Sequence, residues 1–375
     1  MSPINDGKII ASKTPTMEIN DNVLRKTIRA TKGTKYVMIV HPLFMGATLD
    51  RYVKQREGEG WKIQVVNVED IYAAYDNGMA TPVAIKAYLR NARRSGVTHV
   101  QLVGAASYDY HDYLGLGSVS FIPSLYAESN EYIKYTPCDA CYVMGKNELP
   151  FMAIGRWTVR TLEDFENVVN KTLAWKNSGQ ESSKTALLIA DKADRGYDFA
   201  QQLKSISDKI EENGWTHTEV YLDESSNAAT AHDEIMSTFS EGPSLLVYNG
   251  HAASSTWSFS RLLHQSDVTS ITNSGKTAIA LPFACNATFA DSPYINTMAH
   301  QLLAAGENGA VAIYGAATMS SFGDNGVAMG KVLENMIAGK TLGEAIKKAK
   351  RSLGASYRDV IRNGNLLGDV TLEMK

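Results

Sequence analysis

The chain has 375 residues, of which 44% are hydrophobic and 21% charged, the balance of an ordinary globular protein with room for two or three domains. Its formal net charge of -3 offers no basic excess for nucleic acid or an anionic membrane surface. No apolar run reaches the roughly 18–20 residues that span a bilayer, and the N-terminus lacks the apolar core of a secretory signal. We therefore expect neither a nucleic-acid partner nor a membrane span.

Residues 1–25 form a polar N-terminal extension, after which strand-like and helix-like segments alternate. In the first half of the chain, apolar segments rich in β-branched residues predict strands at 36–40, 62–68, 99–104 and 151–157. Helices are predicted at 81–96, which opens with Thr-Pro and closes on Gly, and at 161–177. The second of these begins with a capping box formed by Thr161 and Asp164.

The second half repeats this alternation. Strands are predicted at 185–191, 218–223, 244–250, 277–285 and 309–317, and helices at 198–213, 227–239, 295–306, 325–339 and 341–354. The last helix opens with a second capping box, Thr341 and Glu344. Near-continuous apolar strands that alternate with helices predict parallel sheets covered on both faces. The polar stretch 175–184 separates two α/β units, a first subdomain at 26–178 and a second at 179–375.

The chain has three cysteines, Cys138, Cys141 and Cys285, which are too few for a disulfide framework. Cys138 and Cys141 form an isolated CxxC without the second pair that a zinc site of this kind uses. The pattern favours two half-buried thiols in a turn and leaves a disulfide between them open.

Two residues stand where parallel sheets collect their chemistry, at the carboxyl ends of strands. His251 follows the strand 244–250, and Cys285, 34 residues later, closes the strand 277–285. If these strands are neighbours, the pair has the arrangement of a nucleophile beside a base that later protonates the leaving group. Each residue alone has a plainer interpretation, a small buried hydrophobe for the cysteine and a turn residue for the histidine. The chain contains no GxxxxGK[ST], GxGxxG or HExxH motif and no GxSxG at these strand ends.

The segments around this pair resemble a known family. YNGHAASSTW and LPFACNATF are similar to the catalytic His and Cys segments of the gingipain family of cysteine peptidases, relatives of caspases. LVGAASYDYHDYLG, FIPSLY, FMAIGRWTVRTLEDFENVVNKTLAW, GAVAIYGAATMSS and NLLGDVTLEMK also look like family landmarks, so the resemblance covers roughly residues 35 to 375. It implies two caspase-like α/β/α units with largely parallel sheets and the active site in the second.

The resemblance also implies catalytic roles. Cys285 would be the nucleophile and His251 the proton shuttle, with the oxyanion bound by the backbone N–H groups of Cys285 and Ala252. Asp191 stands where relatives place an acidic residue that can orient the histidine. Relatives read GHG where this chain has Ala252, and they carry a Gly after the nucleophile, where this chain has Asn286. Both differences put efficiency and specificity in question while leaving the fold prediction unchanged.

A basic P1 residue is the expected specificity. Asp198 looks like the carboxylate at the base of the primary specificity pocket, with Asp194 as the alternative. The plainer interpretation of Asp198 is a helix N-cap. Trp257 is a candidate wall of the pocket, although packing alone would also account for a tryptophan there.

The predicted function is therefore a cysteine endopeptidase that cleaves proteins or peptides after Arg or Lys through a thioester acyl-enzyme. The alternatives are a catalytically impaired relative that acts as a binding module and a transpeptidase. No cofactor is expected for catalysis, but relatives bind structural calcium, and the acidic loops 108–113 and 322–326 offer oxygen ligands. The resemblance further implies a secreted or cell-surface protein, with a leader and additional domains outside this chain. An intracellular protein is the alternative that the N-terminal sequence leaves open.

Overall fold

The computed structural model describes residues 28–375 except Glu224, Ile295 and Ala305, so the predicted extension 1–25 lies outside the described residues. The strands of the first half are β1 (Tyr36–Val40), β2 (Ile63–Asn67), β3 (His99–Val103), β4 (Tyr126–Ala127), β5 (Thr136–Pro137) and β6 (Ala153–Trp157). Its helices are α1 (Ala47–Gly58), α2 (Val68–Asp76), α3 (Pro82–Arg94) and α4 (Leu162–Asn177).

The strands of the second half are β7 (Thr185–Ala190), β8 (Thr216–Tyr221), β9 (Leu245–Asn249), β10 (Ala252–Ala253), β11 (Thr256–Trp257), β12 (Leu263–His264), β13 (Ala278–Phe283), β14 (Ala310–Ala316) and β15 (Gly364–Gly368). Its helices are α5 (Phe199–Glu212), α6 (Ala228–Glu241), α7 (Met298–Ala304), α8 (Phe322–Ile337), α9 (Leu342–Leu353) and α10 (Arg358–Asn363). Short 3-10 helices lie at Pro42–Phe44, Asp139–Val143, Gln180–Ser182, Gln265–Ser270 and Ala355–Tyr357.

One ten-stranded sheet runs through both halves in the order β2-β1-β3-β6-β15-β14-β13-β9-β7-β8. Its strand pairs are parallel except for β14 and β15, which are antiparallel. Every residue of β1, β3, β9 and β13 is buried, so both faces of the sheet are covered there, as their continuous apolar sequences predicted. The predicted α/β class is confirmed, and the two units share one continuous, largely parallel sheet. No helix in the described part of the chain is long and apolar enough to cross a membrane.

Strand β15 joins the two halves, and the sequence analysis did not assign it. It pairs with β14 on one side and, through Leu367 and Arg156, with β6 on the other. Its sequence, GNLLG, is short and bounded by glycines, which disfavour a strand prediction. Gly368 is needed for close packing, because a Cβ there would come within 2.5 Å of the Cβ of Ala312. Helices α1 and α2 were also not assigned.

The predicted helix starts are largely correct. Thr161 and Asp164 form the complete capping box at the start of α4. At the start of α9, Thr341 accepts a hydrogen bond from the Glu344 N–H at 3.3 Å, as predicted. The Glu344 carboxylate instead binds Lys347 at 2.6 Å, so the second box is only half formed.

Two buried ion pairs connect β15 and the residue after it to the first half. Arg156 binds Asp139 with N–O distances of 2.7 to 3.2 Å, and the Asp139 N–H donates to Asn365 of β15 at 3.1 Å. Arg56 binds Asp369, the residue after β15, at 2.9 Å. Because a buried charge is stable only when it is paired, these contacts hold the C-terminal strand against the first half.

Cys138 and Cys141 form a disulfide, which corrects the interpretation of two half-buried thiols. Both residues are buried, in a cluster with Ala328, Val360 and Ile361 of the second half. Sequence spacing alone did not show that two cysteines three residues apart would face one another. Cys285 is the free cysteine.

Candidate active site

His251 and Cys285 follow neighbouring strands, each two residues past a pair of residues that lie opposite one another. In the parallel pair β9 and β13, Asn249 lies opposite Phe283, and two residues further along each chain come His251 and Cys285. Both residues are partly exposed, although the strands that lead to them are fully buried. The fold therefore delivers an imidazole and a thiol to the carboxyl edge of the sheet.

The backbone of His251 is held by the buried carboxylate of Asp191. Asp191 Oδ2 accepts the His251 N–H at 3.1 Å, and its Oδ1 accepts the Ser258 hydroxyl at 2.7 Å. The Tyr248 hydroxyl donates to the His251 carbonyl, and the Tyr248 ring stacks on Trp257 at a centroid distance of 4.8 Å. Asp191 therefore fixes the turn that carries the histidine, not its ring.

The imidazole ring is contacted by Asp194, whose Oδ2 lies 3.1 Å from His251 Nε2. Since a carboxylate accepts, we assign the proton to Nε2, which leaves Nδ1 as the proton acceptor. The rings of Phe199, Phe259 and Phe322 lie at centroid distances of 5.7, 4.8 and 5.0 Å from the imidazole. Aromatic packing and one carboxylate thus set the orientation of the base.

Asp194 is positioned by a tight turn between β7 and α5. Asp194 and Tyr197 exchange backbone hydrogen bonds of 3.0 and 2.9 Å. The two residues between them, Arg195 and Gly196, both have positive φ, 47° and 85°, as a type I′ turn requires. The turn carries Asp194 back toward the imidazole of His251, although it lies 57 positions away in sequence.

The Cys285 sulfur lies against Ser320, in the segment that follows β14. Sγ is 3.7 Å from the Ser320 carbonyl oxygen, and it accepts the Ser320 N–H at 3.4 Å. Among the described residues, no hydrogen bond joins Sγ to His251. Burial raises the pKa of the Cys285 thiol, the Ser320 amide lowers it, and the Asp359 carboxylate raises it, with a net increase. The resting thiol is therefore protonated at neutral pH.

The Ala252 N–H takes no part in the pairing of β10 with β11. The Ser258 N–H donates to the His251 carbonyl at 2.7 Å, which makes Ala252 and Trp257 a non-hydrogen-bonded pair of β10 and β11. The Ala252 N–H therefore points away from β11, at the outer edge of the small sheet β10-β11-β12. Ala252 lies in extended backbone without positive φ, so this position does not need glycine.

Asn286, directly after the nucleophile, has a φ of 53°, in the left-handed region. Asparagine is among the side chains that tolerate this conformation best, which explains how the turn forms without the glycine of the resembled family. The Asn286 N–H donates to the Thr318 carbonyl at 3.0 Å and ties the turn to the segment after β14.

Of the predicted specificity residues, Asp194 contacts the histidine ring, whereas Asp198 caps a helix and Trp257 is packed in the core. Asp198 is exposed and caps α5, where its carboxylate accepts the Gln201 N–H at 2.9 Å. Trp257 is buried beneath the histidine turn, and its indole N–H has no hydrogen-bond partner among the described residues. The structure thus brings together His251, Asp191, Asp194 and Trp257, while Asp198 stands further along the same turn.

Of the two acidic segments considered for calcium, 108–113 uses its carboxylates internally. Asp109 accepts the N–H groups of Tyr113 and Leu114 at 2.9 and 3.1 Å, and Asp112 accepts that of Leu116 at 2.9 Å. Within residues 28–375, apart from the three excluded positions, no group of three or more His, Cys, Asp or Glu residues could hold a metal ion. Asp109 and Asp112 are therefore already bound within their own loop, whereas Asp324 lies in the first turn of α8.

Three residues that shape the site were not predicted from the sequence: Tyr248, Ser258 and Ser320. Ser320 could have been found, because it follows β14, the next strand along the sheet, and strand ends are where chemistry collects. Ser258 and Tyr248 carry no comparable signal. Their importance comes from the shared contact with Asp191.

Comparison with known proteins finds one family over nearly the whole chain. The model of peptidase family C25 matches residues 29–375. No curated protein matches. The crystal structure of the Arg specific cysteine proteinase gingipain R is similar with a TM-score of 0.76 and 19% identity, over 93% of this chain and 80% of that chain. A complex of Porphyromonas gingivalis RgpB pro- and mature domains is similar with a TM-score of 0.73 and 20% identity, over 91% of this chain and 80% of that chain. At these identities the structural likeness shows the fold alone.

Proposed function

Because the chain belongs to peptidase family C25 and is thereby a cysteine peptidase, we propose that it cleaves internal peptide bonds with Cys285 as nucleophile and His251 as proton shuttle. The observation that carries the proposal is the matching position of these two residues past the paired ends of β9 and β13. A nucleophile needs a base nearby, and the register of β9 and β13 supports this pairing.

In the first step, Cys285 Sγ forms a bond to the carbonyl carbon of the scissile peptide as its proton passes to His251 Nδ1. The raised pKa of the thiol favours transfer of that proton when substrate is bound, rather than a thiolate formed beforehand. The oxyanion is bound by the N–H groups of Ala252 and Cys285, and each such donor is worth on the order of 3 kcal/mol. The imidazolium then protonates the amine, which leaves as the thioester forms.

In the second step, His251 takes a proton from water, and the hydroxide attacks the thioester. Collapse of this intermediate breaks the C–S bond, releases the carboxylic acid and returns the proton to Cys285. Asp194 stabilises the imidazolium in both steps through its contact with Nε2. Asp191 keeps the turn rigid, so that the Ala252 N–H and the imidazole move as one unit.

The proposed P1 residue is Arg or Lys. Asp194 contacts the imidazole, and Asp198, four residues further along the chain, is exposed and keeps one oxygen free of its capping bond. A guanidinium or ammonium group forms charge-assisted hydrogen bonds with such a carboxylate.

A fluorogenic P1 library tests this specificity with the variant Asp198→Ser. Serine preserves the N-cap of α5 but removes the charge, so the helix stays intact while the preference for Arg and Lys falls about tenfold or more. If this variant keeps its preference for Arg and Lys, Asp198 is not the residue that sets the P1 specificity. Asp194→Asn would then be expected to lower that preference. A library in which native enzyme favours uncharged residues would refute the basic P1.

Labelling with an arginyl or lysyl chloromethyl ketone tests the catalytic proposal. We expect one adduct, on Cys285, and none on the Cys285→Ala variant. Folded native protein that forms no adduct and cleaves no peptide would contradict peptidase activity and favour a binding module. Mass spectrometry of products formed with an added amine separates hydrolysis from transpeptidation.

We also propose that catalysis needs no cofactor and that the protein works in an oxidising compartment, secreted or at the cell surface. The Cys138–Cys141 disulfide supports this location, because such bonds are rare in the cytosol. Activity should be unchanged by EDTA, and mass analysis of protein alkylated without reductant should show Cys138 and Cys141 unmodified. Loss of activity with EDTA would reopen the question of calcium.

A further inference from the structure

Three aromatic side chains form a surface beside the nucleophile. Phe289, four residues after Cys285, stacks on Tyr108 at a centroid distance of 6.4 Å and an interplanar angle of 22°. Tyr294 lies on the other side of Tyr108, also at 6.4 Å. Tyr108 is 42% exposed and Tyr294 61%. We call Tyr108, Phe289 and Tyr294 the aromatic surface.

The aromatic surface is built by both halves of the chain. Tyr108 comes from the loop after β3, and its N–H donates to the Asp291 carbonyl, in the segment that follows the nucleophile, at 3.1 Å. The Tyr126 hydroxyl binds the buried carboxylate of Asp291 at 2.7 Å. Arg160 donates to the carbonyls of Ala290 and Ser292 at 3.1 and 3.0 Å. These bonds hold the aromatic surface in a fixed position relative to Cys285.

Isolated exposed rings are ordinary on protein surfaces, but this group is contiguous. The exposed apolar side chains continue along the loop after Tyr108, at Tyr110, Tyr113, Leu114, Leu116 and Val119. A connected, exposed apolar patch marks a site of interaction, and tyrosine is favoured there because its ring binds apolar groups while its hydroxyl stays hydrated.

The position of this patch indicates its occupant. The proposed P1 carboxylates lie after β7, on one side of His251, whereas the aromatic surface lies on the other side of Cys285, toward β14 and the first half. A polypeptide whose scissile bond lies at Cys285 therefore has one end directed over the aromatic surface.

We propose that the aromatic surface binds a stretch of the polypeptide substrate away from the scissile bond and selects extended substrates with aromatic or bulky aliphatic side chains there. This inference rests on the proposed peptidase function. Through Tyr108, it gives a part in substrate binding to the first half of the chain, which carries no catalytic residue of the proposal.

The test compares a short fluorogenic substrate, an Arg or Lys residue with a reporter group, with quenched peptides extended on either side by Phe and Leu. In native enzyme, extension on one side raises kcat/KM. In the double variant Tyr108→Ala/Tyr294→Ala, the ratio of kcat/KM for extended over short substrate falls about tenfold, the usual effect of truncating aromatic anchors. Tyr108→Phe keeps the ring and should restore most of the ratio. Val83→Ala, which truncates an exposed residue of α3, should leave the ratio unchanged.

An equal ratio in native and double-variant enzyme would overturn the inference, as would native enzyme that gains nothing from extension. Failure of the proposed function is distinguished by peptide binding to the Cys285→Ala protein, measured by fluorescence anisotropy. There, affinity for the extended peptide must still fall when Tyr108 and Tyr294 are truncated, whether or not the native protein cleaves it. If affinity is unaffected, the aromatic surface does not bind substrate.

Discussion

The two halves of the sheet have the same order of parallel strands but different residues at the carboxyl ends of those strands. Strands β3 and β6 of the first half correspond to β9 and β13 of the second, and each pair is parallel. Two residues past the paired ends come Ala105 and Val159 in the first half, and His251 and Cys285 in the second. Ala105 and Val159 are buried and joined by a backbone hydrogen bond of 3.0 Å, which closes that edge. The topology provides the adjacent positions, and the residues placed there decide whether chemistry is available.

A third position extends the comparison. The residue after β1 is His41, and the residue after the corresponding strand β7 is Asp191. His41 Nδ1 accepts the Leu43 N–H at 3.3 Å and caps a short 3-10 helix, a local contact. Asp191 instead binds residues 60 and 67 positions away, His251 and Ser258. The Asp191 carboxylate joins segments of the site by hydrogen bonds, whereas His41 makes its hydrogen bond within its own turn and otherwise packs against the rings of Phe44 and Phe121.

The largest expected effect is the loss of activity when Cys285 is truncated. Val159, which stands at the corresponding position of the first half, serves as its comparison. Cys285→Ala should lower kcat by roughly 10³-fold or more, because the nucleophile is lost. Val159→Ala should leave kcat within a few-fold but lower the free energy of unfolding by about 2 kcal/mol, since it opens a cavity. Steady-state kinetics and urea unfolding measure both. Turnover by folded Cys285→Ala at a rate near that of native enzyme would contradict the assignment of Cys285 as the nucleophile.

The stability of the first half depends on its buried ion pairs. Arg156→Met should lower the free energy of unfolding by roughly 3–5 kcal/mol, because it leaves Asp139 buried without its partner. The matched variant Arg358→Met removes a half-exposed arginine that is 3.8 Å from Glu148, and should cost less than about 1 kcal/mol. If both variants lose the same free energy of unfolding in urea, the buried pair does not stabilise the first half.

The positioning role of Asp191 is tested against its counterpart His41. Asp191→Asn should lower kcat roughly 10- to 100-fold with little change in KM, because an amide nitrogen replaces one of the oxygens that hold the histidine turn. His41→Asn keeps an acceptor for the Leu43 N–H and should change kcat by less than about twofold. A parallel rise in KM, or equal effects of the two variants, would instead indicate a purely structural role.

The smallest effect concerns the thiol itself. Its raised pKa means that the thiolate fraction grows with pH, so alkylation of Cys285 by iodoacetamide should accelerate about tenfold per pH unit near neutrality. Asp359→Asn removes a carboxylate that raises this pKa and should therefore speed alkylation at neutral pH by about two- to fivefold. Asp324→Asn serves as the control and should leave the rate unchanged. A rate that is independent of pH would mean that the thiolate already exists at rest.

Most of the fold could be predicted because its signals are local. The strand 36–40 and the helix 161–177 were assigned from apolar periodicity and a capping box, and both are observed within one residue. Strand β15 was missed because its glycines are explained only by contacts with distant residues, such as Ala312. The Cys138–Cys141 disulfide was left open for a related reason, since spacing does not show how two side chains are directed.

The sequence by itself determined the strand and helix order and the placement of His251 and Cys285 directly after apolar strands, since hydrophobic periodicity and glycine turns act over a few residues. Only the tertiary structure decided that Asp191 binds the histidine backbone while Asp194 meets its ring, and that Ser320 lies on the Cys285 sulfur. These contacts join residues 35 to 60 positions apart. They depend on strand order and register, which are set by packing of the whole sheet and not by any local pattern.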